Sequence, residues 1–334
     1  MARRPRSGAK EQDNPLLDAL RFVAVAQKDE GTPYQTHARF TGEEVVAFDG
    51  VIAAGYPIPI DLHACPNTSK LIAALSKVRG AYSMTVLDTH QLSITANVYR
   101  ALVPCIPPVD LAPILPDPGN YQIGKEWLDA CEIAGVFVTD AAQTVIQSSI
   151  ITQPFTVIGT NGVALIEAYG RYNTPAGLMI PYPFIKAAIA TGLTPVSFGF
   201  SEISFTLHFE GGAWLRTQLY LDALPGQLPN ILAQMDNPQL APIPEDMRTA
   251  IDAVIKFSDD GRMICIRENA VCSHVDDNQG AQYKLDGLPG FAKMNGQFVL
   301  KMLPHFDRAD FFTHAERAVF AGKGVRGLLM KYRQ

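Results

Sequence analysis

Apolar residues recur at helical spacing in short stretches and cluster in longer ones between tight turns. The first such stretch opens at Asn14-Pro15, where Asn can cap and Pro is tolerated at the first helical position. Leu16, Leu17, Leu20 and Val23/Ala24 follow at helical spacing. Strands are predicted over Tyr34–Phe40 and over Val45–Ile58, the latter reversing at Asp49-Gly50, a strong turn signal. A second helix is predicted from Pro66, with Leu71, Ile72, Leu75 and Val78 on one face. Strands Tyr82–Leu87 and Leu92–Val103 complete the unit, and the proline-rich stretch Ile106–Pro118 reads as a linker.

The same layout returns. Lys125–Ala134 is predicted helical, with Trp127, Leu128 and Cys131 apolar. Strands are expected over Thr144–Ile151 and over Phe155–Tyr169, turning at Asn161-Gly162. A helix follows over Pro181–Thr191, then a hairpin over Ile203–Leu219 that turns at Gly211-Gly212. A second linker, Asn237–Pro244, leads to a helix that starts at Glu245-Asp246 and carries Met247, Ile251, Val254 and Ile255. Strands Arg262–Glu268, Ala270–Val275 and Gln282–Leu285, a helix from Lys293 to Leu303 and a last strand Val325–Tyr332 end the pattern. The third copy matches least well, because its turns fall at other offsets. A period of about 110 residues exceeds that of solenoid repeats, which run about 20–50 residues. The expectation is an α+β chain of three similar domains, 15–118, 119–243 and 244–334, each with two helices packed on antiparallel sheets, after a basic tail at 1–14.

Composition narrows the function classes. The chain has 334 residues, 47% apolar and 18% charged, ordinary for packed cores. No uninterrupted apolar run reaches the length of a membrane span. The start MARRPRSGAKEQDN is basic, lacks a following apolar segment, and reads as a disordered tail or a small nucleic-acid-binding arm. Five scattered cysteines without a CxxC pair point to reduced thiols and a cytoplasmic setting. The net charge of -5 speaks against nonspecific nucleic-acid binding unless the cations are segregated.

No catalytic constellation emerges. Cys272 and His274 share a strand face and precede Asp276 and Asp277, but the spacing fits no zinc signature; a strand running into solvated acids is the simpler reading. Asp259-Asp260-Gly261 and Asp286-Gly287 are turn chemistry. There is no P-loop, GxGxxG or HExxH. No catalytic residue, metal or cofactor is therefore expected.

Three segments carry a resemblance: FTVIGTNGVALIEAYG (Phe155–Gly170), AWLRTQLYLDALPGQLPNIL (Ala213–Leu232) and VRGLLMKYRQ (Val325–Gln334). They resemble, in turn, the T-D-G-H-R-L strand, a strand running into a proline-containing loop, and the V-V-M-P-M-R-L terminus of the bacterial DNA polymerase sliding clamp family. ALVPCIPP (Ala101–Pro108) ends the first unit as that family's first domains end. Two positions depart: Ala164 stands where the family has Arg, and Lys331 where it has Pro. The chain is also shorter than typical bacterial members, which fits a phage or mobile-element clamp.

The resemblance implies a head-to-tail homodimeric ring of six domains that encircles duplex DNA without reading sequence. The resemblance further implies a non-enzymatic processivity factor in the cytoplasm, at the nucleoid or in a phage's host. Such a ring needs many weak phosphate contacts on its inner wall. Arg21, Lys28, Lys70, Lys77, Arg79, Lys125, Lys186, Arg248, Lys256, Lys293 and Lys301 lie on or beside the predicted helices and are the DNA-facing candidates. Only Lys125 and Lys186 come from the middle domain. By position, the partner-peptide pocket falls to Thr160, Gly162, Val163 and Leu165 on one side and Leu328 and Met330 on the other. Read by periodicity alone, Leu165, Leu328 and Met330 are ordinary core strand residues. The implied partners are a DNA polymerase, a clamp loader and repair or ligation factors. A phage structural protein of repeated domains, or an enzyme with a site between domains, also fits the composition.

Overall fold

Asparagine side chains start three of the helices. Asn14, Asn67 and Asn295 accept hydrogen bonds from the backbone N–H groups of Leu17 (3.2 Å), Lys70 (3.1 Å) and Phe298 (3.2 Å). They thereby satisfy donors that the first turn of a helix leaves orphaned. These caps set the helices Pro15–Ala24, Thr68–Leu75 and Gly296–Met302 in this computed structural model. It describes residues 14–107, 114–140, 144–222, 224, 226–276 and 279–332. Apart from Asn14, the expected basic tail lies outside the described residues, as do 108–113 of the first linker, Asp277, and the end of the resemblance segment Val325–Gln334.

The caps also move two predicted boundaries. Pro66 belongs to the short strand Cys65–Pro66, paired with Cys105 and Ile106, so the helix waits until Thr68. Lys293 lies on the strand Ala292–Asn295, opposite Cys265, and the helix begins only at Gly296. Two further expectations are corrected. Pro33–Thr36 forms a helical turn, not a strand, because Pro33 suits a first helical position and the Thr32 N–H donates to Gln35 Oε1 (3.1 Å). Val145–Ser148 is a 3-10 turn, and one strand runs from Ser149 to Thr160 where two were expected. That strand is kinked at Pro154, which lacks an N–H, and at Phe155, which has a φ of 64°.

One turn recurs in all three copies. Asp49 Oδ1 accepts from the N–H groups of Val51 and Ile52, Asn161 Oδ1 from Val163 and Ala164, and Asp260 Oδ1 from Arg262 and Met263. A glycine at positive φ follows each: Gly50 (105°), Gly162 (86°) and Gly261 (62°). A glutamine amide reaches a carbonyl of each turn: Gln35 to Asp49 O (2.7 Å), Gln147 to Asn161 O (2.9 Å) and Gln297 to Gly261 O (3.1 Å).

The chain divides into two compact units, and its strands form antiparallel sheets within each. The first contains residues up to Gln122 together with Ala187–Gln218. Its seven-stranded sheet runs Arg39–Phe40, Glu44–Phe48, Ile52–Pro57, Trp214–Gln218, Ser204–Phe209, Pro195–Phe200, Tyr121–Gln122. A four-stranded sheet runs Cys65–Pro66, Tyr99–Ile106, Gln91–Ala96, Ser83–Leu87. Helix Pro15–Ala24 buries Leu20 and Val23, and Phe22 packs edge-on against Tyr56 (5.5 Å) and Phe209 (5.4 Å). Gly55 is required beneath Trp214, whose ring would sit 2.2 Å from any Cβ there. The end of the first linker is anchored, not loose. The Asp117 carboxylate accepts from Ser204 Oγ (2.9 Å) and Thr206 Oγ1 (2.8 Å) and lies 3.6 Å from Arg216 Nε.

The second unit contains Ile123–Lys186 and Leu219 onward. Its seven-stranded sheet runs Met179–Pro181, Ser149–Thr160, Ala164–Asn173, Val325–Met330, Arg317–Gly322, Arg308–Asp310, Ala241–Pro242. Its four-stranded sheet runs Gln282–Lys284, Ala270–Cys272, Met263–Arg267, Ala292–Asn295. Trp127 and Cys131 of helix Lys125–Ala134 are fully buried. The helix end lies so close to the sheet that a Cβ at Gly159 would meet the Ala134 carbonyl at 2.1 Å. Both long sheets pair strands that are far apart in sequence, which closes edges that would otherwise be open to aggregation.

Asp310 ties the second linker to this sheet. Its carboxylate accepts from the N–H groups of Gln239 (2.9 Å), Thr313 (3.0 Å) and Phe312 (3.2 Å). Burial alone would raise its pKa, but these N–H donors outweigh burial and hold it below the usual aspartate value. A depressed carboxyl contributes stability above its unfolded pKa of about 3.9 that is lost as pH falls through the folded value. Asp310→Asn is expected to lower stability at pH 7 by about 1–3 kcal/mol. It should also flatten the loss on acidification below about pH 4, as read by urea melts across pH.

Candidate functional site

The hairpin Ser149–Thr160/Ala164–Asn173 presents the first candidate surface. At its tip, Thr160 Oγ1 donates to the Ala164 carbonyl (2.8 Å) and accepts from the Gly162 N–H (3.0 Å). Thr160 and Gly162 therefore build the turn itself, and its geometry pushes Val163 outward, 45% exposed. On the other side Ala164–Asn173 pairs with Val325–Met330, which sets Leu165 opposite Leu328. The Met330 N–H donates to the Val163 carbonyl (2.9 Å), so Met330, 37% exposed, is bonded to Val163 at the same sheet end.

The six pocket residues thus lie together but differ in character. Leu165 and Leu328 are each 4% exposed and belong to a core cluster with Ile151, Ile158, Met179 and Val319. Val163 and Met330 are the accessible apolar pair. Sequence reading missed the other contributor, helix Leu228–Ala233, in a segment expected to be a strand running into a loop. Leu228 and Met235 enter the same cluster, while Ile231, Leu232 and Leu224 pack against it half-buried. The signal was present: Leu228, Ile231 and Leu232 have i, i+3, i+4 spacing, and Pro229 falls in the first turn.

Beside this cluster, Glu167 is 5% exposed and faces Arg326 across the two strands. Arg326 Nε donates to Glu167 Oε2 (2.6 Å), and Nη1 donates to Asp236 (2.8 Å), just beyond the missed helix. Tyr169 Oη donates to the same Glu167 oxygen (2.9 Å), and the Arg326 guanidinium lies 5.8 Å from the Tyr169 ring centre. Burial and the bond to the Glu167 carboxylate push the Tyr169 phenol well above its usual range. At the Lys331 position, where the resembling family has proline, the backbone N–H donates to the Glu316 carbonyl (2.9 Å), a bond proline cannot make. The next N–H, of Tyr332, donates to the Lys293 carbonyl (3.0 Å).

The basic candidates are exposed except Lys293, which is half-buried on its strand. They differ in what they meet. Lys125 Nζ is paired with both oxygens of Asp129 (2.5 and 2.8 Å), and Lys186 Nζ contacts Asp140 and lies over the Tyr182 ring. Arg21 has Asp18 one turn back (3.7 Å), and Arg248 donates to the Leu300 carbonyl (3.2 Å). Lys301 lies 6.0 Å from the centre of the Phe137 ring. Lys28, Lys70, Lys77, Arg79 and Lys256 project as exposed side chains. Elsewhere, His274 Nε2 meets Asp259 (3.1 Å) and its Nδ1 meets Ser273 (2.9 Å). Among the described residues no cluster of His, Cys, Asp or Glu is arranged to hold a metal. No helix among them is long and apolar enough to cross a membrane.

No protein-family model and no curated protein matches the chain. Solved structures do. The beta subunit of the Streptococcus pyogenes DNA polymerase superposes with a TM-score of 0.79 at 13% identity, covering 96% of this chain and 98% of that one. The DNA polymerase sliding clamp of Caulobacter crescentus gives 0.78 at 19% identity, over 96% and 97%. The Helicobacter pylori beta clamp, solved bound to a DNA ligase peptide, gives 0.73 at 14% identity, over 96% and 98%. Over 96% of its length the chain therefore has the fold of the bacterial sliding clamps, an α+β fold of helices on antiparallel sheets.

Removing Glu167 takes from Arg326 Nε and the Tyr169 hydroxyl their shared acceptor, while Asp236 still pairs with Arg326 Nη1. Glu167→Ala is expected to lower the unfolding free energy by about 1–3 kcal/mol, the cost of lost hydrogen bonds to a charged group. The Glu167→Ala/Arg326→Met double variant should recover part of that loss, as measured by urea denaturation.

Proposed function

We propose that the protein is a sliding clamp: a non-catalytic processivity factor that encircles duplex DNA and tethers a polymerase to it. The observation that carries this reading is the fold likeness over 96% of the chain and 97–98% of the clamps. In this reading the chain comprises three domain copies, 15–118, 119–243 and 244–334, and two chains close head to tail. The edge strands Ser83–Leu87 and Gln282–Lys284 support closure, since among the described residues each lies at the end of its four-stranded sheet with one side open to pairing. The protein works in the cytoplasm, at the nucleoid or in the host cell of a phage.

Function then rests on electrostatics without sequence readout. Lysines and arginines on helix faces exchange contacts with passing phosphates, each weak and screened beyond about 8–10 Å at ordinary salt. Lys28, Lys70, Lys77, Arg79 and Lys256 are the strongest DNA-facing candidates, with Arg21, Arg248 and Lys301 beside them. Lys125 and Lys186 add less, because Asp129 and Asp140 offset their charges locally. Lys293, on a strand and beside Tyr332, is the weakest member of the set. The second task, partner binding, falls to Val163 and Met330 over the Leu165/Leu328 cluster, with helix Leu228–Ala233 beside them. Thr160 and Gly162 shape the turn. The DNA ligase peptide on the Helicobacter pylori clamp supports assigning peptides from polymerase, clamp loader and repair or ligation factors to this surface. Met330 gives it an adaptable wall.

Light scattering is expected to give twice the 36.4 kDa chain mass, and the protein should be retained on nicked circular DNA after loading and lost on linearisation. A monomer at micromolar concentration, or retention indifferent to DNA ends, contradicts the reading. Val163→Asp places a charge on the apolar surface and should weaken binding of a polymerase tail peptide about tenfold or more. Fluorescence anisotropy measures this, with the dimer mass unchanged.

A further inference from the structure

Four side chains form one row across the four-stranded sheet of the second unit: Lys293, Cys265, Cys272 and Gln282, each opposite the next. The two thiols in the middle of the row are free, are 0% and 4% exposed, and make a small buried cluster of their own with Ala270. Directly opposed residues of antiparallel strands bring their Cβ atoms to about 4.5–5.5 Å. A disulfide needs about 3.5–4.5 Å, so an approach of about 1 Å brings the two sulfurs into bonding reach. The remaining cysteines have no such arrangement. Cys65 stands opposite Ile106 and Cys105 opposite Pro66, so Cys65 and Cys105 leave their strands on opposite faces. Cys131 is fully buried on helix Lys125–Ala134.

The surroundings decide when the pair reacts. Burial pushes both thiols above their ordinary range, and Arg267, with Lys293 beside Cys265, only partly offsets it. The pair therefore rests as thiols. Cys272 lies one strand in from the sheet edge, which is the three-residue strand Gln282–Lys284 with Gln282 and Lys284 exposed. So short an edge opens locally at small cost, and its opening uncovers Cys272 to a small oxidant. We propose that Cys265 and Cys272 are a reversible redox site that hydrogen peroxide converts to a cross-strand disulfide. In the first step the Cys272 thiolate attacks one peroxide oxygen. The O–O bond breaks, the departing hydroxide takes up the thiol's proton as water, and a sulfenic acid is left. In the second step the Cys265 sulfur attacks that sulfur. The S–S bond forms, the S–O bond breaks, and the hydroxide leaves as water with the second thiol proton. The two sulfurs lose two electrons and the peroxide gains them. Drawing the strands together strains the bridge, and strained bridges are the ones that cellular thiols reduce again.

The test treats the reduced full chain with hydrogen peroxide under native conditions, blocks the remaining thiols by alkylation and maps a tryptic digest by mass spectrometry. Trypsin cuts after Arg262 and Arg267, so the two cysteines fall on separate peptides. Wild type should lose two of its five thiols, yield the linked pair of peptides that carry Cys265 and Cys272, and recover both thiols with dithiothreitol. Cys265→Ala should give no link, and its Cys272 should gain oxygen instead, because no second sulfur displaces the hydroxide. A melt checks that this variant folds, and Cys272→Ser, equally unable to form the link, serves if it does not. The proposal is overturned if native wild type keeps all its thiols until it is unfolded. It is also overturned if the links join other cysteines, or if wild-type Cys272 gains oxygen in place of the bridge. The reaction needs neither DNA nor a second chain, so its failure leaves the clamp reading standing, and its success does not depend on that reading.

Discussion

The pairing of Ala164–Asn173 with Val325–Met330 is the interaction on which the second unit depends. It joins a hairpin from the middle of the chain to another built near its end and makes one sheet of both. The register does more than satisfy backbone groups. It sets Leu165 against Leu328 in the core and Glu167 against Arg326. A slip by one residue would turn every one of these side chains to the other face, so a buried carboxylate would lose its guanidinium and the apolar cluster would open to water. The Glu167–Arg326 pair therefore acts as a register lock whose value lies in what misalignment would cost.

The same strand pairing brings Val163 and Met330 together at the sheet end. Neither is remarkable for hydrophobicity alone; what matters is a half-exposed apolar surface over a rigid floor. The Leu165/Leu328 floor cannot move without disturbing Ile158 and Met179. A surface of that kind can accept a short apolar segment without paying much ordering entropy of its own. The cations follow a different logic. They are scattered over several helices, and the acidic remainder keeps the whole chain at -5. Local pairs such as Lys125–Asp129 and Lys186–Asp140 show that position on an exposed helix does not make a lysine available.

Much of this was legible in the residues. The helices announced themselves through apolar spacing, the first also through its Asn14 cap, while the caps Asn67 and Asn295 went unread and two helix starts were misplaced; Asn161-Gly162 marked its turn. The third copy looked weakest because its turn had to be matched by offset. In space Asp260-Gly261 repeats the bonding of Asp49-Gly50 and Asn161-Gly162, glutamine included. That glutamine was invisible in sequence, because it lies before the turn in two copies and after it in the third. Pro33–Thr36 and Leu228–Ala233 were missed for a common reason. Both span four to six residues, so at most one i, i+3, i+4 set marks them, and a strand pattern and a proline-containing loop were read there instead. The pocket residues could be named from motif likeness, but spacing could not separate the buried Leu165 and Leu328 from the accessible Val163 and Met330. That division is set by the Asx turn and by the Met330 to Val163 bond.

The distance between paired strands also bears on how the polypeptide is made. Glu167 leaves the ribosome 159 residues before the arginine that neutralises it. At translation rates of about 5–20 residues per second, the nascent hairpin spends roughly ten to thirty seconds with one flank unmatched. During that interval a bare β-edge and an uncompensated acid are exposed together. The acid is then useful, since charge on an unmatched flank discourages association between neighbouring nascent chains.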